Sequence, residues 1–388
     1  MECWRKKPVF AKDLRGPLMI ERLYVHNFRC LENFEFKPGG SASVLLIGRN
    51  GSGKSTVARA LQLFQRIGRG VNRVGKLVLP SEFTQARSDT PMRFELDVVL
   101  DGKRFQYGLA LELPVRFREL RVLHEALKVD GAQVFSRHQA DVLLDRSAGP
   151  KPMVAFPVDW HLVALPVIHD PALADPLNSF RLWLARMAIL SPVPRLMQGN
   201  ASGETLEPAE DGSNFADWMA GLLAQYPAAY SDISTHLQQV MPDLAQFRNL
   251  PAGRDAKALV VEFASDSGKF ALPFDDLSDG EKCFFLCAVV LAANKAYGPM
   301  LTFWDEPDNF LSMAEVGHSV MALRRAFESG GQLMVTSHNP ETIRTFSDEN
   351  TWLLDRKSHL EPTVIRPLTE LQHDGDLVQA ILAGDLQA

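Results

Sequence analysis

The run Val44-Leu45-Leu46-Ile47 leads into Gly48-Arg49-Asn50-Gly51-Ser52-Gly53-Lys54-Ser55-Thr56, and this stretch decides how the chain is read. It fits the pattern G-x-x-x-x-G-K-[ST], with an apolar strand before it and a helix after it. Gly48, Gly51 and Gly53 let the backbone curl until its N–H groups, those of Asn50 and Ser52 included, face phosphate oxygens. The helix N-terminus adds partial positive charge. Lys54 is placed to reach the β- and γ-phosphates, Ser55 to offer a hydroxyl to Mg²⁺, and Thr56 to bond the α-phosphate. Val57, Leu61 and Phe64 then recur at helical spacing until Gly68 and Gly70 stop the helix. These residues imply ATP with Mg²⁺ as the ligand, and its hydrolysis.

Three further motifs lie downstream. Met300–Trp304 reads as an apolar strand ending in Asp305-Glu306. In open α/β folds the carboxyl edge of the sheet is where ligands bind. Asp305 is expected to hold Mg²⁺ and Glu306 to take a proton from the attacking water, or to orient it. Leu277-Ser278-Asp279-Gly280-Glu281-Lys282 contains a capping box, with Ser278 as the cap and Glu281 reaching back. The box does not explain Gly280, which costs up to about 1 kcal/mol inside a first turn. Ser278 and Gly280 are therefore candidates for an anion contact. Last, Val335–Pro340 ends a strand, caps a helix with Asn339 and places His338 on a loop at the same sheet edge.

Around these motifs, residues 20–36 read as two short strands about Asn27-Phe28-Arg29. Residues 92–113 alternate as a hairpin turning at Asp101-Gly102, and a second hairpin turns at Asp130-Gly131. From about 155 to 255, prolines punctuate helical stretches near Phe180–Leu190, Asn214–Gln225 and Tyr230–Val240. Leu259–Phe263 and Phe270–Phe274 make another hairpin. The expected division is an extension at 1–18, an N-terminal lobe at 19–154, an inserted helical subdomain at 155–255 and a C-terminal lobe at 256–388. No heptads persist long enough for coiled-coil arms. The tail Asp376–Ala388 reads as a short helix.

Composition narrows the classes. With 46% hydrophobic and 23% charged residues, the 388-residue chain can bury a substantial core. A net charge of -6 argues against a general nucleic-acid coat. No stretch approaches the roughly 20 apolar residues of a membrane helix. Cys3, Cys30, Cys283 and Cys287 offer neither a disulfide framework nor zinc spacing, and read as reduced thiols in a cytoplasmic protein. Arg66, Arg69, Arg73 and Lys76, with Arg116, Arg118 and Arg121, form basic runs. Such runs are more often solvated surface than phosphate contacts.

Taken together, the four motifs resemble the ABC-type ATPase family. Gly48–Thr56 looks like its Walker A loop, Leu277–Lys282 like its signature, Asp305-Glu306 like Walker B and His338 like the switch histidine. The resemblance runs from Met19 almost to the end of the chain. The opening Ile20–Arg29 and the long gap between Walker A and signature are similar to the RecF, SMC and OLD branch, which acts in repair, chromosome maintenance and phage defence. A signature reading Ser-Asp-Gly resembles OLD-type ATPases.

The resemblance implies an α/β P-loop NTPase head with a mixed sheet, an antiparallel β-subdomain and the helical insertion. It implies a head-to-tail homodimer, in which ATP on Lys54 of one copy is capped by Ser278 and Gly280 of the other. Glu306, His338 and Lys54 would be catalytic, and Ser55 and Asp305 would hold the metal. The family's aspartate after Leu311 is Ser312 here, which reads as a helix cap with Glu315. The Mg²⁺-sensing glutamine has two candidates, Gln85 and Gln106. About 50 residues follow His338, too few for the Toprim nuclease of OLD proteins, so the expected partners are DNA and a separate effector nuclease or toxin subunit. An ATPase coupled to a membrane transporter is the alternative. Repair and defence both stay open at this stage.

Overall fold

A computed structural model describes residues 19–145, 153–168, 176–253 and 256–371. The extension at 1–18, Cys3 and the tail helix at 376–388 lie outside the described residues.

The chain opens with β1 (Met19–His26), β2 (Phe34–Phe36) and β3 (Ser43–Ile47), then α1 (Lys54–Gly68) and the short α2 (Val74–Leu77). A meander follows: β4 (Met92–Leu100), β5 (Lys103–Glu112), β6 (Arg121–Val129), β7 (Ala132–His138), β8 (Asp141–Asp145) and β9 (Met153–Pro157). Next come α3 (Pro176–Arg186), β10 (Ala188–Leu190), β11 (Asn200–Ala201), α4 (Phe215–Gln225) and α5 (Ala229–Val240). The strands β12 (Leu244–Ala252), β13 (Ala256–Ser265) and β14 (Gly268–Pro273) precede α6 (Asp279–Tyr297). The last part holds β15 (Leu301–Asp305), α7 (Met313–Glu328), β16 (Gln332–Thr336), α8 (Pro340–Arg344), β17 (Thr351–Asp355) and β18 (Val364–Pro367).

These strands build three sheets. An eight-stranded antiparallel sheet runs β2-β1-β4-β5-β6-β7-β8-β9, and a small one joins β11, β13 and β12 with β14 on β13. The sheet that carries the motifs runs β10-β15-β16-β3-β17-β18. All its pairs are parallel except β17 with β18, so the sheet is mixed. Strand β3 is buried on both faces. Val44 and Leu46 join the core shared with α1 and the antiparallel sheet, whereas Leu45 and Ile47 join the core under α6 and α7. That two-sided burial is why β3 reads as a continuous apolar run. On α1, Val57, Leu61 and Phe64 are fully buried, as their spacing predicts.

The hairpins at Asp101-Gly102 and Asp130-Gly131 form where the turns predict. Asn27 and Arg29 take positive φ between β1 and β2, and Asn27 Nδ2 donates to the carbonyls of Arg87 and Thr90 at 2.9 and 2.6 Å.

The stretch 155–255 differs from the inserted helical subdomain that prolines and helical periods suggest. It holds α3, α4 and α5, but also β10, which pairs with β15 inside the motif-bearing sheet. A boundary at 255 falls within the β12–β13 hairpin, and one at 154 cuts β9. Three-residue β10 is too short to show a period, and only its partner β15 defines it.

Candidate functional site

Lys54 opens α1 directly after Gly53, whose φ of 108° suits glycine. A Cβ on Gly53 would stand 2.7 Å from Thr363 Oγ1, and one on Gly48 would stand 2.1 Å from the Leu354 carbonyl oxygen. The loop is therefore gripped from the β17 side as well as curled. Lys54 Nζ donates to the Gly48 carbonyl at 2.7 Å and meets His338 Nε2 at 2.9 Å. An ammonium has only donors, so His338 presents the lone pair of Nε2 and stays neutral. Burial lowers the pKa of both groups. Lys54 lowers that of His338 further, while Glu306 and Asp305 pull both back upward.

The two ends of the metal reading meet. Ser55 Oγ donates to Asp305 Oδ2 at 3.0 Å. Asp305 Oδ1 accepts from Thr336 Oγ1 at the end of the neighbouring strand. Two hard oxygen groups side by side at a phosphate loop fit Mg²⁺. Glu306 adopts φ 53°, rare for a residue with a Cβ. Its N–H is held by Thr336 Oγ1 at 3.0 Å and by the Thr336 carbonyl at 3.2 Å. Its carboxylate accepts from Asn309 Nδ2 at 2.6 Å and lies 3.8 Å from His338 Nε2. Behind them, buried Asp308 accepts from Ser337 Oγ and from Thr342 Oγ1, tying the loop after β15 to the loop after β16. One cleft gathers Asn50, Gly51, Gly53, Lys54, Ser55, Thr56, Asp305 and Glu306, with Arg29, Cys30 and Arg356 on its walls. Ser52 lies buried inside the loop.

Ser278 caps α6 as the sequence predicts. Its Oγ accepts from Glu281 N at 3.3 Å, and its N–H donates to Glu281 Oε2 at 2.7 Å. A Cβ on Gly280 would meet the Phe310 carbonyl oxygen at 3.0 Å, so this glycine permits a close approach of the loop after β15. Neither Ser278 nor Gly280 lines the cleft around Lys54. Ser312 caps α7, its N–H donating to Glu315 at 2.8 Å, and Asn339 caps α8.

Gln85 bonds the Leu360 carbonyl and Gln106 bonds Asp97, and neither lines the cleft. Arg69 is mostly buried and donates to the carbonyls of Ala185, Pro208 and Met187, because α1 ends against the β10 segment. Arg73 pairs with Glu119, and Arg121 pairs with Glu112 beneath Trp160. Arg73 stays exposed in its pair, as a solvated surface run predicts, whereas Arg69 and Arg121 are largely covered. Cys283 and Cys287 are buried, which pushes both thiols up to about 12. Among the described residues no group of three or more His, Cys, Asp and Glu could hold a metal ion. No described helix is long and apolar enough to cross a membrane. The sequence alone does not single out Thr336, Asp308 or Arg356. For Arg356 and Thr336 a signal existed: each lies at the carboxyl end of a strand beside the phosphate loop.

Residues 43–147 and 184–344, well over half of the chain, match the family described as "AAA domain, putative AbiEii toxin, Type IV TA system". The chain belongs to that family. This AAA-domain protein is also 30% identical over 112 residues to UvrABC system protein A of Synechocystis sp.. That match takes in 29% of the chain and 11% of the relative, so the chain spans about a tenth of the length of that protein. Among solved structures, an SMC head bound to the C-terminal winged-helix domain of ScpA covers 90% of the chain with 98% of its own length. The identity is 14% and the TM-score 0.53. An SMC head domain from Thermotoga maritima covers 90% and 98%, at 13% identity and a TM-score of 0.47. The AAA-domain protein thus has an α/β P-loop NTPase fold similar to that of the SMC head domain, as the resemblance implied.

Proposed function

We propose that this chain binds ATP with Mg²⁺ on Gly48–Thr56 and hydrolyses it, working as an ATP-dependent dimerising switch. The carrying observation is the 3.0 Å contact between Ser55 Oγ and Asp305 Oδ2, beside Lys54, Glu306 and His338. On ATP binding Lys54 exchanges its carbonyl and histidine partners for the β- and γ-phosphates. Glu306 accepts the proton of the water that attacks the γ-phosphorus as the bond to the departing ADP oxygen breaks. His338, released from Lys54, takes the tautomer with its proton on Nε2 and donates to a γ-phosphate oxygen. Ser55 and Asp305 are the residues that would hold Mg²⁺, which supplies charge neutralisation on the phosphate oxygens.

Ser278 and Gly280 stand outside the cleft of their own chain, which supports their use on the nucleotide of a second copy. ATP then acts as a ligand of the dimer, and hydrolysis as its release. The OLD-like assignment, from the Ser-Asp-Gly signature, belongs to this reading. The family description names a toxin–antitoxin system and the curated relative a protein of the UvrABC system. Both favour a switch acting on DNA or on a separate nuclease or toxin over an ATPase coupled to a membrane transporter.

Size-exclusion chromatography with light scattering tests this on Glu306→Gln, with and without ATP and Mg²⁺. Dimers only with ATP, abolished by adding Ser278→Arg, are expected. A chain that stays monomeric, or is equally dimeric without ATP, overturns the switch.

A further inference from the structure

The strand order places the two ends of a bound nucleotide. In β10-β15-β16-β3-β17-β18, the strands β15 and β16 lie on one side of the phosphate-loop strand β3, and β17 lies on the other. All four of β15, β16, β3 and β17 run parallel, so their carboxyl ends share one edge. Glu306 and His338 stand beyond β15 and β16, where the γ-phosphate reacts. A nucleotide lying across β3 must then point its nucleoside end toward β17.

Arg356 is the first residue beyond β17, and it lines the same cleft as Lys54 and Thr56. Its guanidinium is already oriented: Nε donates to the Glu361 carbonyl at 2.8 Å and Nη2 to the His359 carbonyl at 2.6 Å. The loop that holds it is fastened to the phosphate loop. Thr363 Oγ1 donates to the Ser52 carbonyl at 2.8 Å, and Thr363 N to the Cys30 carbonyl at 2.9 Å. A cation fixed before the ligand arrives loses little side-chain entropy on binding.

We infer that Arg356 is a nucleotide-binding residue, contacting the α-phosphate end of a nucleoside di- or triphosphate from the flank opposite Glu306 and His338. The inference rests on the nucleotide reading above and adds what that reading lacks, a charged contact at the end shared by ATP and ADP. A contact at the γ-phosphate discriminates the two nucleotides, whereas one at the α-phosphate does not. Charge-assisted bonds from a guanidinium to phosphate are the strong kind.

The test is displacement of a fluorescent N-methylanthraniloyl-ADP from the full chain by ADP and by ATP, with urea midpoints measured alongside. Arg356→Ala is expected to raise Kd about tenfold, by the same factor for ADP and ATP. Should the alanine variant also lower the urea midpoint, Arg356→Gln decides, since it keeps an amide donor for the loop carbonyls without the charge. It is expected to hold the midpoint and still lose affinity. Variants that bind ADP within twofold of wild type, or that weaken ATP alone, overturn the inference and leave the nucleotide reading standing. A wild-type chain that binds neither the probe nor ATP overturns both.

Discussion

The hydroxyl of Ser55 donates to a carboxylate oxygen of Asp305 at 3.0 Å, although 250 positions separate the two in the chain. Ser55 sits in the first turn of α1 and Asp305 at the last position of β15. Parallel strands β15, β16 and β3 bring both to one edge. Their juxtaposition leads to the first expectation. Ser55→Ala and Asp305→Asn should each lower the ATPase rate by roughly 100-fold or more, the scale of losing one electrostatic stabiliser. Nucleotide binding in EDTA should stay near wild type. Steady-state phosphate release with a binding titration checks both.

Thr336 serves both acids at once, donating to Asp305 and accepting from the Glu306 N–H. Thr336→Val is expected to lower stability by about 1–2 kcal/mol, the scale of one unmade buried hydrogen bond. It should lower kcat more than it raises KM, because Glu306 loses a partner that holds its φ of 53°. Thr336→Ser should restore most of the rate. Equal activity in the valine variant would remove Thr336 from the positioning of Glu306.

Two glycines separate conformational need from tolerance. Gly53→Ala places a Cβ 2.7 Å from Thr363 Oγ1 at a φ of 108°, so nucleotide affinity should be lost. A methyl group on Gly75 would meet nothing within 4 Å, and the backbone there has no positive φ. Gly75→Ala should leave affinity unchanged and raise stability by about 0.4–1 kcal/mol. Titration with the fluorescent ADP and urea denaturation read the pair.

Arg69 donates to three backbone carbonyls, of Ala185, Met187 and Pro208. Arg69→Met should destabilise the fold by about 2–4 kcal/mol, since buried carbonyls lose their donor. It should leave any binding of duplex DNA, and its salt dependence, as in wild type. A change in the salt slope of DNA binding without loss of stability would make Arg69 a phosphate contact.

His236 on α5 is largely buried, its Nε2 has no hydrogen-bond partner, and burial lowers its pKa. The unfolded chain then binds the proton more readily than the folded one. Stability should therefore fall as pH drops from the ordinary histidine range toward the depressed folded value, and be fully present above that range. His236→Leu should flatten the urea midpoint against pH between about 5 and 7.

Much of the site was legible in the linear sequence because its determinants are local. The phosphate loop depends on glycines at fixed offsets. The caps at Ser278, Ser312 and Asn339 depend on partners two or three residues away. The hairpins depend on Asp-Gly turns, and the double-sided burial of β3 shows as an unbroken apolar run. Arg69 departs from the solvated-surface reading of its run because charge alone does not report burial, which α3 and the β10 segment impose from more than 100 residues away.

The sequence by itself determined the phosphate loop, the acidic strand end, the capped helix at Ser278 and the histidine loop, since backbone φ, capping and side-chain period act between near neighbours. Only the tertiary structure decided that β10 joins β15, that Thr336 braces both acids, that Asp308 ties the loops after β15 and β16 together, and that Arg356 faces the cleft from β17. Those relationships are pairings between strands and loops distant in the chain, and no local preference encodes them until the sheet has assembled.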